Sequence, residues 1–85
     1  MMKNNIFNLE YQYQLYLTRT KLKETLMGPA QKKETRQAFM AACGQMLLLL
    51  RDEVSDMEEE QAAEIFQDML QQVHDYFMKA ANKSN

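Results

Sequence analysis

The sequence predicts an all-α protein, a three-helix up-down-up antiparallel bundle. The chain of 85 residues has two Gly and one Pro, too few turn formers for a many-stranded β fold. Hydrophobic residues make up 46 % and charged residues 26 %, which is typical of a globular chain rather than a disordered one. Apolar residues recur at helical spacing in three stretches separated by two breaks. We therefore expect a single domain over residues 1–85, with helices at about 8–27, 29–54 and 57–81.

The most apolar stretch, Arg36 to Val54, predicts the central helix. No charged residue occurs between Phe39 and Leu50. Six apolar residues share one helical face: Phe39, Cys43, Met46, Leu47, Leu50 and Val54. Leu48 and Leu49 lie on other faces, so this helix must be covered on more than one side.

The first predicted helix begins after Asn8, a residue that caps helix N-termini well. Gly28 is expected to close it in the left-handed conformation, and Pro29 to begin the second helix. A core-facing stripe is predicted from helical spacing: Tyr11, Leu15, Leu22 and Leu26. Residues 9–17 also alternate apolar and polar side chains, as a half-buried strand does. Helix is favoured over strand there because the chain offers no second strand to pair with.

The third predicted helix follows Ser55, which stands at capping-box spacing from Glu58, and Asp56 stands at the same spacing from Glu59. Its apolar seam alternates steps of four and three, as packed helices do: Ala62, Phe66, Met69, Val73, Tyr76 and Ala80. The second and third helices together are expected to bury one common core: Phe39, Leu47, Leu50, Phe66, Met69 and Val73.

Several function classes are poorly supported by the residue types present. Cys43 is the only cysteine, so no disulfide can form within the chain, and no apolar run approaches the roughly 20 residues of a membrane span. These features predict a soluble, cytoplasmic protein without membrane contact. His74 is the only histidine and there is no glycine-rich phosphate loop. We therefore predict no enzymatic activity, no cofactor and no metal site.

The charges are segregated along the chain although the net charge is only −2. Six basic residues flank Gly28-Pro29 and form a predicted basic pole: Arg19, Lys21, Lys23, Lys32, Lys33 and Arg36. Such a cluster can bind nucleic acid or an acidic partner. Solvated helix ends are the favoured interpretation, because nucleic-acid binders are usually basic overall. Three carboxylates spaced four residues apart are likewise expected to form a solvated face: Glu60, Glu64 and Asp68.

The apolar surface of the first two helices exceeds what a three-helix monomer can cover, which predicts self-association as a homodimer. The candidate interface consists of residues turned away from the predicted core: Leu9, Tyr13, Leu17, Leu48 and Leu49. The predicted function is a non-enzymatic protein–protein interaction module, of the kind that serves as an adaptor, chaperone or assembly factor. The alternative is a small nucleic-acid-binding regulator that uses the basic pole. No motif identifies a further protein partner or a pathway.

Overall fold

Every regular element that the structure describes is helical. The computed structural model describes residues 5–83, with side chains to residue 81. Its elements are α1 (Leu9–Thr20), a 3₁₀ turn (Glu24–Leu26), α2 (Pro29–Leu49), a π-helical turn (Leu50–Val54) and α3 (Glu59–Lys83). No strand occurs within residues 5–83, so the predicted all-α class with three long helices is confirmed. The chain divides into two compact units, the first ending at Leu48 and the second beginning at Leu49.

Helix α1 begins where the sequence predicts but ends seven residues early. The Asn8 side chain accepts a hydrogen bond from the Tyr11 N–H at 3.0 Å, which confirms the N-cap and the helical interpretation of residues 9–17. The helix ends because Lys21 adopts a left-handed conformation with φ of 60°. The Leu22 N–H then reaches the Leu17 carbonyl at 2.9 Å, and the Lys21 N–H reaches the Thr18 carbonyl at 3.2 Å. This pair of bonds is a Schellman motif.

The predicted role of Gly28 in closing the first helix is therefore wrong. No described glycine has a positive φ. Gly28 instead supplies the carbonyl that accepts the Lys32 N–H at 2.9 Å, in the first turn of α2. Pro29 is the first residue of α2, as predicted. The helical stretch that begins there extends through the π-helical turn to Val54, where the sequence places its end.

The core-facing stripe of α1 differs from the predicted one. Tyr13 is completely buried and Leu17 is 6 % exposed, whereas Tyr11 is 39 % exposed and Leu26 is 81 % exposed. The prediction is wrong because it treats residues 11 to 26 as one continuous helix. Because the helix ends at Thr20, Leu22 and Leu26 lie outside it and do not extend the stripe that begins at Tyr11. Tyr13 and Leu17, one helical turn apart, form the inward face instead.

In the second unit, α3 occupies nearly the predicted range, but the contacts expected at its start and along its seam differ. The Ser55 hydroxyl donates to the Arg51 carbonyl at 2.8 Å, so it does not cap α3. Among the residues of this unit that the structure describes, Val54 is the one buried apolar residue. No member of the predicted common core is buried. Leu47, Phe66 and Val73 are each more than two-fifths exposed, and the other three are half-buried: Phe39, Leu50 and Met69.

Candidate interaction surface

Three aromatic rings join α1 to α2 in the first unit. The Phe39 ring lies 5.2 Å from the Tyr13 ring and 5.1 Å from the Tyr16 ring, measured between centroids. Tyr13 and Tyr16 stack on each other at 6.3 Å. These distances lie in the range of favourable aromatic pairs. The cluster is buried on its Tyr13 side and open to solvent on its Tyr16 side, where Tyr16 is 38 % exposed.

Arg36 also ties these two helices together, through contacts with Tyr13 and with two carboxylates. Its guanidinium donates to the Glu10 carboxylate and to the Glu24 carboxylate, the latter at 3.3 Å. It also lies 4.6 Å from the centre of the Tyr13 ring, within the range of a cation–π contact. The Tyr13 hydroxyl donates to the same Glu24 oxygen through a long hydrogen bond of 3.4 Å. One side chain of α2 therefore contacts α1 and the 3₁₀ turn together.

This arrangement shifts the pKa values of three side chains. The hydrogen bond from Arg36 lowers the pKa of the Glu10 carboxyl, and a second one from Gln14 lowers it further. The hydrogen bond to Glu10 raises the pKa of Arg36 in return. Burial raises the pKa of the Tyr13 hydroxyl, with a further contribution from the nearby Glu24 charge. The shifts favour a charged Glu10–Arg36 pair beside a neutral Tyr13.

An open apolar groove of about 380 Å³ lies on the first unit, beside the aromatic cluster. Seven residues line it: Leu9, Tyr16, Phe39, Ala42, Cys43, Met46 and Leu47. None of these side chains carries a charge, and several large ones are well exposed, including Met46 at 44 % and Leu47 at 51 %. The α2 residues among them recur at steps of three, one, three and one, which aligns them along one face of that helix.

The structure separates the five predicted interface residues into different environments. Leu9 lines the groove and is 38 % exposed. Tyr13 and Leu17 are buried, so the prediction that they face outward is wrong. Leu48 is 48 % exposed and Leu49 is half-buried.

The sequence pattern did contain a signal for the groove. Phe39, Cys43, Met46 and Leu47 belong to the α2 stripe that was predicted to be core. In the structure the same stripe lines a surface open to solvent, and Tyr16 joins it from α1. Helical spacing located these residues correctly, but it could not distinguish a filled core from an unfilled groove.

The residues of the predicted basic pole also fall into two groups. Five of them are exposed: Arg19, Lys21, Lys23, Lys32 and Lys33. Arg36 is half-buried and engaged by two carboxylates and an aromatic ring, so it is a structural cation rather than a free one. The three carboxylates of α3 that were expected to form a solvated face are exposed: Glu60, Glu64 and Asp68.

Within residues 5–83, no group of three or more His, Cys, Asp and Glu side chains is arranged to hold a metal ion. None of the helices described is both long and apolar enough to cross a bilayer. Comparison of the chain with family models, with curated proteins and with solved structures finds no match.

Proposed function

We propose that this chain is a non-enzymatic protein–protein interaction module that associates with itself. The observation that carries the proposal is the apolar groove of the first unit, lined by α1 and α2. The surface of this groove is almost entirely apolar, so covering it with another apolar surface is favourable. Soluble monomers seldom expose a large contiguous apolar patch, and where such a patch occurs it tends to mark an interaction site.

The balance of buried and exposed apolar residues supports the same proposal. In the described part of the chain three large apolar side chains are buried, whereas sixteen are exposed. A domain of this size has only a few kcal/mol of stability available from a single core. Binding to a partner that recognises only the folded state adds to that stability. So large an apolar surface exposed to solvent therefore supports the proposal that the chain acts as part of an assembly.

Sedimentation of the wild-type chain should show reversible association. We expect the mass to rise from 10.0 kDa toward twice that value as concentration increases through tens of micromolar. The melting temperature should rise with concentration for the same reason. Leu47→Lys places a charge in the groove and should shift the equilibrium to monomer. Each leucine removed from such a contact costs roughly 1.5 to 3 kcal/mol per chain.

Leu26→Lys is the matched control, since Leu26 is an exposed leucine of the same unit outside the groove. It should associate as the wild type does. A constant mass near 10.0 kDa at all concentrations would contradict self-association. In that case the groove would have to serve a different protein.

Binding to nucleic acid is the second candidate function, and five exposed basic side chains of the first unit favour it: Arg19, Lys21, Lys23, Lys32 and Lys33. We expect no tight complex with DNA or RNA at physiological salt, because the chain is acidic overall. Fluorescence anisotropy with labelled duplex and single strands would measure this. If a complex did form, its affinity should fall steeply with salt and with Lys32→Glu and Lys33→Glu combined. Such a result would reverse the order of the two proposals.

A further inference from the structure

Helix α3 has the properties of a ligand for an apolar groove. It is the most amphipathic of the three helices and spans 25 residues. Four of its exposed large apolar residues follow steps of four, three and four, which aligns them in one seam: Phe66, Leu70, Val73 and Phe77. Tyr76 and Met78 are also exposed. Leu70 is 63 % exposed and Phe77 is 64 % exposed. A helix that binds a groove presents anchors at this spacing.

The two units also carry opposite charge. The first unit, ending at Leu48, has seven Lys and Arg against three Asp and Glu, a net charge of +4. The second unit, beginning at Leu49, has three Lys and Arg against nine Asp and Glu, a net charge of −6. The two values sum to the −2 of the whole chain. An acidic amphipathic helix is therefore the electrostatic complement of the unit that carries the groove.

The lengths of the two surfaces are similar. The groove residues of α2 extend from Phe39 to Leu47, which is about 12 Å along a helix. The seam from Phe66 to Phe77 is about 16 Å long at the same rise per residue. Two or three successive anchors of α3 therefore match the length of the groove.

We infer that the groove of one copy binds the apolar seam of α3 from a second copy. Each chain has both a groove and a seam. In a symmetric dimer, the seam of each copy therefore lies in the groove of the other. The occupant is thus a second molecule of this chain, recognised through apolar anchors and opposite charge. This inference rests on the proposed self-association and specifies which surfaces make the contact.

Disulfide trapping tests the inference, because Cys43 lines the groove and is the only cysteine of the chain. A tagged wild-type chain is mixed with an untagged chain carrying Cys43→Ala and Leu70→Cys, and the mixture is mildly oxidised. A bond can form only if the two Cβ atoms approach within about 4.5 Å. We expect a covalent product with the summed mass of one tagged and one untagged chain.

Gln71→Cys, in the same Cys43→Ala background, is the matched control. Residue 71 is the exposed neighbour of residue 70 but lies away from the seam. It should give little mixed product. An equal yield from both positions would show random collision and overturn the inference. A chain with Cys43 and Leu70→Cys that forms its disulfide internally, without mixed product, would also overturn it.

Sedimentation of the same proteins separates this inference from the proposal on which it rests. A reversible dimer that gives no mixed disulfide would leave self-association intact and reject α3 as the occupant. A monomer at all concentrations would reject both. We further expect Leu70→Lys to weaken dimerisation by about tenfold or more, since it removes one buried anchor. Gln71→Lys should change the dissociation constant by less than about threefold; equal effects of the two substitutions would overturn the inference.

Discussion

Tyr13→Ala is expected to unfold the first unit at ordinary temperature. Tyr13 is the one described side chain that is completely buried, and its ring contacts Phe39, Tyr16 and Arg36. Truncating a buried aromatic side chain to Ala costs about 3–5 kcal/mol. That loss is comparable to the entire stability of a small domain. Thermal melting followed by far-UV circular dichroism should show a large loss of helix signal at 25 °C or a sharply lowered midpoint.

Two control substitutions make this result specific to the buried ring. Tyr13→Phe keeps the ring and removes the long hydrogen bond to Glu24, which should cost about 1 kcal/mol or less. Tyr11→Ala removes the same side chain two residues earlier, where it is 39 % exposed. It should melt close to the wild type. Equal destabilisation by Tyr11→Ala and Tyr13→Ala would mean that α1 does not present the face described above.

Arg36→Met is expected to lower the melting temperature by a smaller but clear margin. The substitution keeps an unbranched apolar stem beside Tyr13 while removing the charge. The Glu10 and Glu24 carboxylates lose their shared cation, and Tyr13 loses its cation–π contact. Lys33→Met is the control, because it removes an exposed cation of the same helix. If both variants melt alike, the Arg36 contacts contribute nothing specific.

The effect of Arg36→Met should also depend on pH. The folded-state pKa of Glu10 lies below its ordinary value of 4.5, mainly because of the hydrogen bond from Arg36. The stability from this interaction is therefore fully present above that ordinary value and is lost as pH falls through the folded-state pKa. The difference in melting temperature between wild type and Arg36→Met should shrink between pH 7 and pH 3. A difference that stays constant across this range would exclude the Glu10 pair as its source.

The sequence was sufficient to predict the helical class and the number of long helices. A low Gly and Pro content and apolar residues at helical spacing both reflect local backbone preference. For this reason α2 and α3 occur close to their predicted ranges. The end of α1 was missed because the signal used was Gly28, whereas the left-handed residue is Lys21. A non-glycine residue pays a steric cost in that conformation, so sequence alone gives little warning of it.

The candidate site was predicted less well for a different reason. Apolar spacing correctly grouped Phe39, Cys43, Met46 and Leu47, but a groove and a core produce the same spacing. Tyr13 was assigned to the outer face because an apolar stripe can be drawn through α1 in more than one way. In the structure the Tyr13 ring contacts Phe39 and Arg36 of α2, residues far from it in sequence. Such a contact leaves no local pattern.

The π-helical turn after α2 has a consequence for how the length of this chain can vary. The Ser55 N–H bonds to the Leu50 carbonyl at 2.9 Å, so this turn encloses one residue more than an α-helical turn. Loss of one residue between Leu50 and Val54 can therefore be absorbed by a return to α-helical bonding. Loss of one residue between Phe39 and Leu47 would instead rotate half of the groove's α2 wall by about 100° and break its alignment. Tolerance to deletion should change abruptly within a few residues along one continuous helical stretch.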